Sequence, residues 1–502
     1  MDNITVLSAN NRIPYALIRN EVDNYTELQR ELMSILKYYK VYKNGMKVIA
    51  EGTSGDYIGS QLRYKLTSSL INKEARFLFA ETPDFVVQPK GGNETTSEES
   101  KHAISSLQTL VDEVLRENKI DDMLVKAARD CFIGKRTAAL LNFSEEDGIT
   151  VTFLNSLDFV YETEVGNANR LKKFVAFINV KDRVSLSDRR ILKKKFEMVD
   201  GVCYLSEGLY DGSGRPVLDE GFEALENEPT ELDFVPAVVM LNDGLTGEQR
   251  GVSEVEQLCE YESMYSKIAN ADVDAERKSM NPIRYTIDMS SNSTKALSSS
   301  PGSYWDLQTD QNKDSANPSV GLLESSLSYK DALKETLERI KMTAYNELDI
   351  PNISDAQSKV TSGKELKAIY WPLIVRCKEK MKVWGPQLAS LIDYIIKGAM
   401  AYPESAKHYI DEPVSTVAYS ISIENNYPIP EDESEEKQND LAEVGALVMS
   451  KKAYMKKWRR LTEAEAMEEL EQMQVEREML EDGYNGSESD TFGIIGAGVD
   501  TE

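Results

Sequence analysis

Residues 234–243 read F-V-P-A-V-V-M-L-N-D, and residues 251–274 read G-V-S-E-V-E-Q-L-C-E-Y-E-S-M-Y-S-K-I-A-N-A-D-V-D. The first stretch is a short apolar run rich in β-branched residues, which is typical of a buried strand. The second begins a segment, 253–281, that contains neither proline nor glycine and carries apolar residues at helical spacing. The sequence therefore predicts a strand that leads into a long helix.

Upstream of this point, helical patterns give way to β-rich runs. Helices are predicted at 97–118 and 120–135, and they follow an earlier stripe of near-helical spacing formed by Leu62, Leu66, Leu70, Ala75 and Leu78. Short β-rich runs come next, separated by turn sequences such as E-E-D-G and D-G-S-G. Residues 1–245 are therefore predicted to form an α+β domain, with helices first and largely antiparallel strands after them.

Downstream, a second helix is predicted at 326–348, after an interruption at 282–324 that contains a strand-like run and a serine-rich stretch. At 1.5 Å per residue the two helices are on the order of 35 to 45 Å long. Their apolar stripes are narrow, and the segment between them is too small to form a deep core. Such a hairpin is stable if neighbouring copies of the same chain cover its stripes; an ordinary helix pair packed on the body of the protein is the alternative.

The longest amphipathic pattern covers residues 364–402, and Pro372 and Pro386 inside it predict at least one kink. A short strand, V-A-Y-S-I-S-I, follows at 417–423. An acidic helical region is predicted at about 435–482. The last twenty residues are rich in Gly, Ser, Asp and Glu, a composition that predicts disorder.

The chain carries 85 acidic and 58 basic residues and a net charge of −27, and residues 424–502 hold 21 acidic and 8 basic side chains. A protein that grips nucleic acid over its surface needs a basic footprint, so the composition excludes this class for the chain as a whole and leaves room for local basic patches. The N-terminal residues M-D-N-I-T-V-L-S have no signal-peptide pattern, and the apolar run 235–241 is too short to span a bilayer. We expect a soluble intracellular product that contacts no membrane.

Candidate catalytic and metal-ligating residues are few and scattered. The cysteines and histidines are Cys131, Cys203, Cys259, Cys377, His102 and His408. They form no C-x-x-C pair or metal-ligand spacing, so neither a zinc site nor a disulfide framework is expected. No G-x-S-x-G motif supports a Ser-His-acid arrangement. The sequence therefore predicts no enzyme activity and no cofactor.

Residues 357–366, Q-S-K-V-T-S-G-K-E-L, resemble a phosphate-binding loop at first sight. Such a loop needs G-x-x-x-x-G-K-[ST] after a buried strand, because its amides cradle the phosphates and its hydroxyl holds magnesium. Here Ser358 replaces the first glycine, and Glu365 follows Gly363-Lys364. A carboxylate at that position repels phosphate, and the preceding segment is a predicted helix. Nucleotide hydrolysis at this loop is therefore excluded.

The same stretch is suited to a different task. Small polar residues with two lysines can touch a phosphate backbone lightly without reading bases. In one copy, Lys359 and Lys364 would bind negligibly, whereas a ring of copies would form a girdle of positive charge. A plain surface connection between helices is the alternative that the residues leave open.

The order of these parts, from about Ser60 to Glu481, resembles the portal proteins of tailed bacteriophages, in particular the family of the Bacillus phage SPP1 portal. The strand at 234–243 and the helix after it are similar to that family's entry into its first stem helix. V-G-A-L-V-M-S-K-K-A-Y-M, at 444–455, and the acidic helix after it are similar to its crown. The resemblance implies an α+β portal architecture, divided as follows: α/β wing 1–245, stem helix one 246–281, small α/β clip 282–324, stem helix two 325–350, tunnel loop 351–363, long kinked helix and returning strand of the wing 364–428, helical crown 429–482 and acidic tail 483–502.

The resemblance also implies a function. Members form a ring, usually of twelve copies, at one capsid vertex, through which the terminase packages double-stranded DNA that is later ejected. The implied DNA-facing residues of the tunnel loop are Gln357, Ser358, Lys359, Thr361, Ser362, Gly363 and Lys364. The implied clip residues that contact the terminase large subunit or head-to-tail connector proteins are Ser298, Ser299, Ser300, Tyr304, Trp305 and Asp306. Major capsid and scaffolding proteins are further implied partners, and the implied location is the virion, after assembly in the host cytoplasm.

Two other classes of protein remain as alternatives. A nucleotide-driven motor subunit would hydrolyse ATP, and the failed phosphate loop argues against it. An intracellular oligomeric scaffold or adaptor would use the 253–348 hairpin as a protein-binding rod. The acidic composition agrees with the portal under the hypothesis that carboxylates line the channel, since a net acidic wall would repel DNA and keep the duplex centred. A basic channel wall outside the loops would count against this hypothesis.

Overall fold

The computed structural model describes residues 5–7, 12–19, 21–22, 25–47, 59–90, 98–181, 187–218, 222–242, 244, 250–280, 283–287, 319–323, 328–352, 363–415, 417–428, 433–459, 467 and 469–475. The chain divides into two compact units. The first comprises residues 1–355 and 370–428, and the second comprises residues 356–369 and 429–502. Helices and strands are both abundant, which confirms the predicted α+β class.

The helices that lie wholly or mainly in the first unit are α1 (Tyr15–Arg19), α2 (Tyr25–Asn44), α3 (Leu66–Leu78), α4 (Glu98–Glu117), α5 (Ile120–Gly134), α6 (Glu254–Met280), α7 (Lys330–Glu347), α8 (Gly363–Ala401) and α9 (Pro403–Ala406). Helix α8 begins in the second unit and enters the first at Tyr370. The predicted helices at 97–118, 120–135, 253–281, 326–348 and 364–402 correspond to α4, α5, α6, α7 and α8 to within about one turn. These predictions are confirmed.

The strands are β1 (Thr5–Leu7), β2 (Arg12–Pro14), β3 (Asp84–Pro89), β4 (Arg136–Ser144), β5 (Gly148–Asn155), β6 (Phe159–Glu164), β7 (Asn167–Lys181), β8 (Arg190–Val199), β9 (Val202–Tyr210), β10 (Leu225–Pro229), β11 (Ala237–Leu241), β12 (Ile283–Ile287), β13 (Ser319–Leu323) and β14 (Tyr419–Glu424). Strands β10-β9-β8-β7-β6 form a five-stranded sheet and β11-β4-β5 a three-stranded one. Neighbouring strands in both sheets are antiparallel, as predicted.

The strand predicted from V-P-A-V-V-M-L is β11, which pairs with β4 so that Ala237 lies opposite Leu140. Its first four residues are buried. Two of these four, Ala237 and Val239, belong to an apolar core that also contains Phe159, Phe174 and Phe196 from the five-stranded sheet. Each large apolar side chain that is fully buried in this way contributes about 1.5–3 kcal/mol to folding.

Two details of the predicted order are wrong. Strand β3 lies between α3 and α4, so the first domain does not place all its helices before its strands. It pairs with β14 along its whole length, Asp84 opposite Glu424 and Pro89 opposite Tyr419. Leu62, which the sequence assigned to a helical stripe, precedes α3 and is 52% exposed.

The amphipathic pattern predicted at 364–402 is confirmed, because apolar residues at helical spacing along α8 form a buried stripe. Its buried members are Leu373, Cys377, Trp384, Leu388, Leu391, Ile395 and Ala399. Helix α8 continues through Pro372 and Pro386 as one element. The kink predicted from these prolines stays a prediction.

The second unit contains α10 (Glu433–Gly445), α11 (Lys451–Arg459) and further helical residues at 467 and 469–475. Helix α11 buries Met455. Asp440 of α10 accepts a hydrogen bond from Trp458 Nε1 at 2.8 Å. The same carboxylate forms an ion pair with Lys457 Nζ, also at 2.8 Å. The predicted helical character of this region is confirmed for its described residues, and the predicted disordered tail, 483–502, lies outside them.

Candidate functional site

Helices α6 and α7, joined through the antiparallel pair β12–β13, form a helical hairpin. Near the strands, Tyr329 Oη donates a hydrogen bond to Asp272 Oδ1 at 3.4 Å. One residue later, Lys330 Nζ lies 3.0 Å from Glu276 Oε1. The last turns of α6 therefore lie beside the first turn of α7, which is the antiparallel arrangement of two consecutive helices.

The described part of the hairpin leaves much apolar surface uncovered. On α7 only Ala344 and Tyr345 are buried, and the stripe residues Leu333, Leu337 and Ile340 are half-buried. The large apolar side chains exposed on the two helices and the two strands are Met264, Met280, Tyr285, Ile287, Val320 and Met342. The described residues of one copy do not cover this surface. That neighbouring copies cover it stays a prediction.

One face of α6 carries a row of polar side chains that form hydrogen bonds with the backbone of residues 60–67, at and just before the start of α3. Three of them, spaced by multiples of four residues, are Glu262, Asn270 and Asp274. Glu262 accepts a hydrogen bond from the Thr67 amide at 2.8 Å, and Asn270 both accepts from the Leu62 amide at 2.7 Å and donates to the Leu62 carbonyl at 2.8 Å. Asp274 Oδ1 accepts from the Ser60 amide at 2.9 Å. The segment before α3 and the first turn of α3 itself are therefore fixed along α6 by side chains that accept hydrogen bonds from otherwise unpaired backbone amides.

At the root of the hairpin, four charged side chains meet where α3, α6 and α8 converge. Glu74 of α3 and Glu254 of the first turn of α6 are buried almost completely. Arg376 of α8 binds both: its Nε lies 2.7 Å from Glu74 Oε1, and its Nη2 lies 3.1 Å from Glu254 Oε1. One turn later, Lys380 Nζ lies 2.5 Å from Glu254 Oε1 and 3.3 Å from Glu74 Oε1. We call these four residues the root cluster.

Lys380 has partners outside the root cluster as well. Its Nζ donates to Asn242 Oδ1, just beyond β11, at 2.7 Å. It also lies 4.0 Å from the centre of the Phe132 ring of α5, a favourable cation–π distance. A buried ammonium needs this number of partners, because removing it from water is costly. Lys380 thus links α8 to the strand that leads into the hairpin.

The two carboxylates of the root cluster titrate differently. Burial, together with the negative charge of Glu254, raises the pKa of Glu74 to about 7. Burial also acts to raise the pKa of Glu254, but Lys380 and Arg376 outweigh it and hold that pKa below its ordinary value. One proton can therefore reside on Glu74 near neutral pH while Glu254 stays ionised. The root cluster can fix the hairpin to the α/β body, and its net charge depends on pH.

The predicted tunnel-loop residues fall mostly outside the described part of the chain. Gln357, Ser358, Lys359, Thr361 and Ser362 lie outside it. Gly363 and Lys364 are the first two residues of α8. Helix α7 and residues 348–352 come before this loop, so the described residues immediately upstream contain no strand of the kind that precedes a phosphate-binding loop.

The predicted clip residues also fall outside the described part of the chain. They are Ser298, Ser299, Ser300, Tyr304, Trp305 and Asp306. The described strands β12 and β13 flank this segment and pair with each other, Ile283 opposite Leu323 and Ile287 opposite Ser319. A small β element therefore exists at each end of the segment to which the clip was assigned.

Sequence reasoning did not find the root cluster, although a signal was present. Arg376 and Lys380 are spaced by four residues within an amphipathic helix, next to the buried stripe that contains Cys377. Glu74 similarly interrupts the apolar stripe of α3. Charged residues beside a buried stripe indicate a paired buried charge, because an unpaired one is too costly. A single sequence does not show which helices supply the partners.

The model of the family described as phage portal protein, SPP1 Gp6-like, matches residues 255–482. Over this region the chain is similar to that portal family. The region contains the hairpin, α8, β14, α10 and α11, and it amounts to slightly less than half of the chain. The family resemblance predicted from the sequence is confirmed.

Two solved structures are similar to this chain. One is a chain in the virion of a native gene transfer agent particle, 7% identical, with a TM-score of 0.41 over 79% of this chain and 90% of that chain. The other is a chain in the neck of an empty gene transfer agent particle, 9% identical, with a TM-score of 0.38 over 76% of this chain and 86% of that chain. At these values the similarity in shape is loose.

No curated protein matches the sequence. Among the helices that the structure describes, none is both long enough and apolar enough to cross a membrane. In the same described residues, His, Cys, Asp and Glu side chains form no group of three or more that could hold a metal ion.

Proposed function

We propose that this chain is the subunit of a portal ring at one vertex of a phage-like capsid. Double-stranded DNA would enter through the ring during packaging by the terminase and leave through it during ejection. The observation that carries the proposal is the portal-family match from α6 to beyond α11, because it covers the hairpin and the long helix in a single unbroken region. The subunit would assemble in the host cytoplasm and reside in the virion.

The ring is proposed to contain twelve copies, the number that the portal resemblance implies. The exposed apolar side chains of the hairpin support assembly, since burying them against neighbouring copies would be favourable. Electron microscopy of the purified full-length protein tests this directly. Rings with an axial hole support the portal, whereas dimers or rods would favour the scaffold or adaptor that uses the hairpin.

The segment 351–363 and the start of α8 are proposed to line the narrowest part of the channel. Lys359 and Lys364 would touch the DNA backbone weakly, which suits a channel that must move DNA without holding it. Substituting both lysines by Glu should impair packaging or retention of DNA while rings still form. The matched control is Lys334→Glu together with Lys341→Glu on α7, which adds the same charge change away from the loop. Unchanged packaging in the first variant would remove the lysines from the DNA contact.

The segment between β12 and β13 is proposed to dock the terminase large subunit and, later, the head-to-tail connectors. Ser298, Ser299, Ser300, Tyr304, Trp305 and Asp306 are the proposed contacts. Tyr304 and Trp305 are the strongest candidates, because aromatic residues dominate the energetics of protein interfaces. Trp305→Ala should weaken terminase binding at least about tenfold without affecting ring formation, and Ser298→Ala should have little effect.

The portal is proposed to have no enzymatic activity of its own; the ATPase would belong to the terminase motor. ATP turnover by the pure rings in the absence of terminase would contradict this assignment. Packaging is measured on a second sample that contains both terminase and rings. Comparison of the two samples distinguishes ATP turnover by the rings from ATP turnover by the terminase.

A further inference from the structure

The basic residues of the C-terminal region are concentrated in one short helix. Residues 424–502 contain 8 basic side chains, and six of them lie within residues 451–460. No acidic residue occurs from 444 to 462, although this region as a whole holds 21 acidic residues. Helix α11 contains five of the cations: Lys451, Lys452, Lys456, Lys457 and Arg459. In a chain of net charge −27, this helix is a local basic patch.

Part of this pattern opposes the stability of the helix. Lys456, Lys457 and Arg459 lie in the last turn of α11, where the helix dipole favours cations. Lys451 and Lys452 lie in the first turn, where the dipole disfavours them, and that turn contains no acidic residue. A local conflict of this kind indicates a functional constraint, because helix stability does not account for the residues present.

Three of the cations follow one side of α11. Lys452, Lys456 and Arg459 are spaced by four and three residues, so they lie above one another along the helix. Like charges at this spacing repel each other. Lys456 and Arg459 are exposed, and Lys452 is half-exposed. The three residues form a positive row about 10 Å long, at 1.5 Å per residue. We call them the basic row.

Cations of the patch have partners within the protein, and two of the ion pairs are made with carboxylates of the same unit. Arg459 Nη1 lies 2.6 Å from Glu469 Oε1, and Lys457 Nζ lies 2.8 Å from Asp440 Oδ2. The side chains of Arg459 and Lys457 are 59% and 43% exposed, so water screens these pairs and they contribute little. A polyanion that presents several phosphates at once can therefore replace these carboxylates as the partner of the cations.

We propose that the basic row of α11 binds phosphates of double-stranded DNA without reading the base sequence. A row about 10 Å long faces roughly three phosphates of one strand, since each strand presents one per 3.4 Å of helix axis. The proposal rests on the proposed portal function, which brings duplex DNA to the ring. The basic row would be a second DNA contact, in addition to the one proposed for Lys359 and Lys364.

The experiment measures binding of a labelled 30-base-pair duplex of random sequence to assembled full-length protein, from about 50 to 300 mM NaCl. The variant is Lys452→Gln, Lys456→Gln and Arg459→Gln together. We expect the slope of log K against log salt to fall in magnitude by up to about 3, at about 0.9 per phosphate contact, and affinity at about 100 mM salt to fall at least about tenfold. An unchanged slope and affinity would overturn the proposal.

Two further variants separate DNA contact from general charge and from folding. Lys37→Gln, Lys40→Gln and Lys43→Gln remove three exposed cations from α2 and should leave the slope unchanged. Lys452→Arg, Lys456→Arg and Arg459→Lys retain the charges and should retain the slope. Loss of slope in the charge-retaining variant would mean that these residues act through the fold of the unit, and it would overturn the proposal.

Polyglutamate of matched charge serves as the competitor. Weak competition supports a DNA surface, whereas competition equal to that of DNA would identify a surface for acidic protein and contradict the proposal. Electron microscopy of the same samples separates the two hypotheses. If rings form and bind the duplex with no contribution from the basic row, the inference about the basic row is wrong and the proposed portal function is unaffected. If no rings form, the result contradicts the proposed portal function itself.

Discussion

Glu74 is buried next to a second carboxylate, and its pKa is raised to about 7. Burial and Glu254 both make ionisation of Glu74 unfavourable, while Arg376 and Lys380 limit that cost. In the unfolded chain a glutamate has a pKa near about 4.3. The folded protein therefore holds a proton that the unfolded chain has already lost between about pH 5 and pH 7.

This proton makes stability depend on pH in a defined direction. A carboxylate whose pKa is raised on folding contributes its stability below the unfolded pKa, and the contribution is lost as pH rises through the folded pKa. Glu74→Gln removes the titration and keeps the shape of the side chain. Relative to the parent, its free energy of unfolding should rise by on the order of 1–3 kcal/mol from pH 5 to pH 8.

Urea denaturation at three pH values measures this difference. The control is Glu81→Gln, an exposed position near the end of α3, which should follow the parent at every pH. Parallel curves for Glu74→Gln and the parent would show that Glu74 does not change its protonation in this range.

Gly251 shows how one residue sets the step from β11 to α6. Its φ is +72°, in the left-handed region, and a Cβ atom there would lie 2.4 Å from the Lys135 carbonyl oxygen and 2.6 Å from the Asn242 carbonyl oxygen. Both contacts are with backbone, which cannot move aside cheaply. Gly251→Ala should destabilise the protein by about 1–3 kcal/mol from the backbone conformation alone, with the clash added to it.

Thermal unfolding tests this prediction against a matched substitution. Gly385 lies inside α8, and a Cβ atom there would meet nothing within 4 Å. Gly385→Ala should therefore destabilise the protein less than Gly251→Ala, although Pro386 after it disfavours the helical conformation for a residue that carries a Cβ atom. Equal effects at the two positions would contradict the geometry described for Gly251.

At the scale of elements, sequence periodicity predicted the long helices and the β-rich runs between 136 and 205 well. Helices α6 and α8 have sustained apolar stripes, and the order of apolar and turn residues marks β4, β5 and β7. The pairing of β3 with β14 was not predictable, because nothing in one sequence relates residue 84 to residue 424. The polar row on α6 was equally hidden, since polar residues at helical spacing usually indicate a solvent-exposed face.

The hairpin provides a prediction about assembly. Met264 on α6 is 51% exposed and Met342 on α7 is 36% exposed. If neighbouring copies cover this surface, Met264→Glu or Met342→Glu should lower the fraction of assembled rings, because a buried carboxylate without a partner is costly. Unfolding of the monomer should change by no more than about 0.5 kcal/mol, as for other surface substitutions.

Analytical ultracentrifugation at fixed protein concentration measures the assembled fraction. Thr343→Glu is the matched control, because it adds the same charge at the next exposed position of α7. Equal loss of rings in the control would assign the effect to charge repulsion. Full assembly of all three variants would show that the hairpin surface is not an interface between copies.

At the scale of the whole molecule, charge and assembly are connected. In the proposed ring, the net charge of −27 on each copy would add up to a large negative field, which would repel DNA from most of the surface. Two positive segments, around Lys359 and Lys364 and along α11, would then supply weak contacts that guide the duplex. A wall that is mainly acidic with isolated basic rows favours movement of DNA over retention.

The candidate site was only partly predictable from the sequence for a physical reason. Lys359, Lys364 and the aromatic pair Tyr304 and Trp305 were assigned by resemblance, and all except Lys364 lie outside the described residues. The root cluster, in contrast, depends on side chains from three helices that are far apart in the sequence. Local pattern identifies elements, and contacts between distant elements require the fold.

The central claim is that copies of this chain form a closed ring with a DNA-wide axial channel. Electron microscopy of the purified full-length protein, with two-dimensional classification of end-on views, measures it most directly. The account predicts rings of about twelve subunits with a central hole wide enough for a duplex. Monomers, dimers, rods or closed particles without a central hole would contradict it.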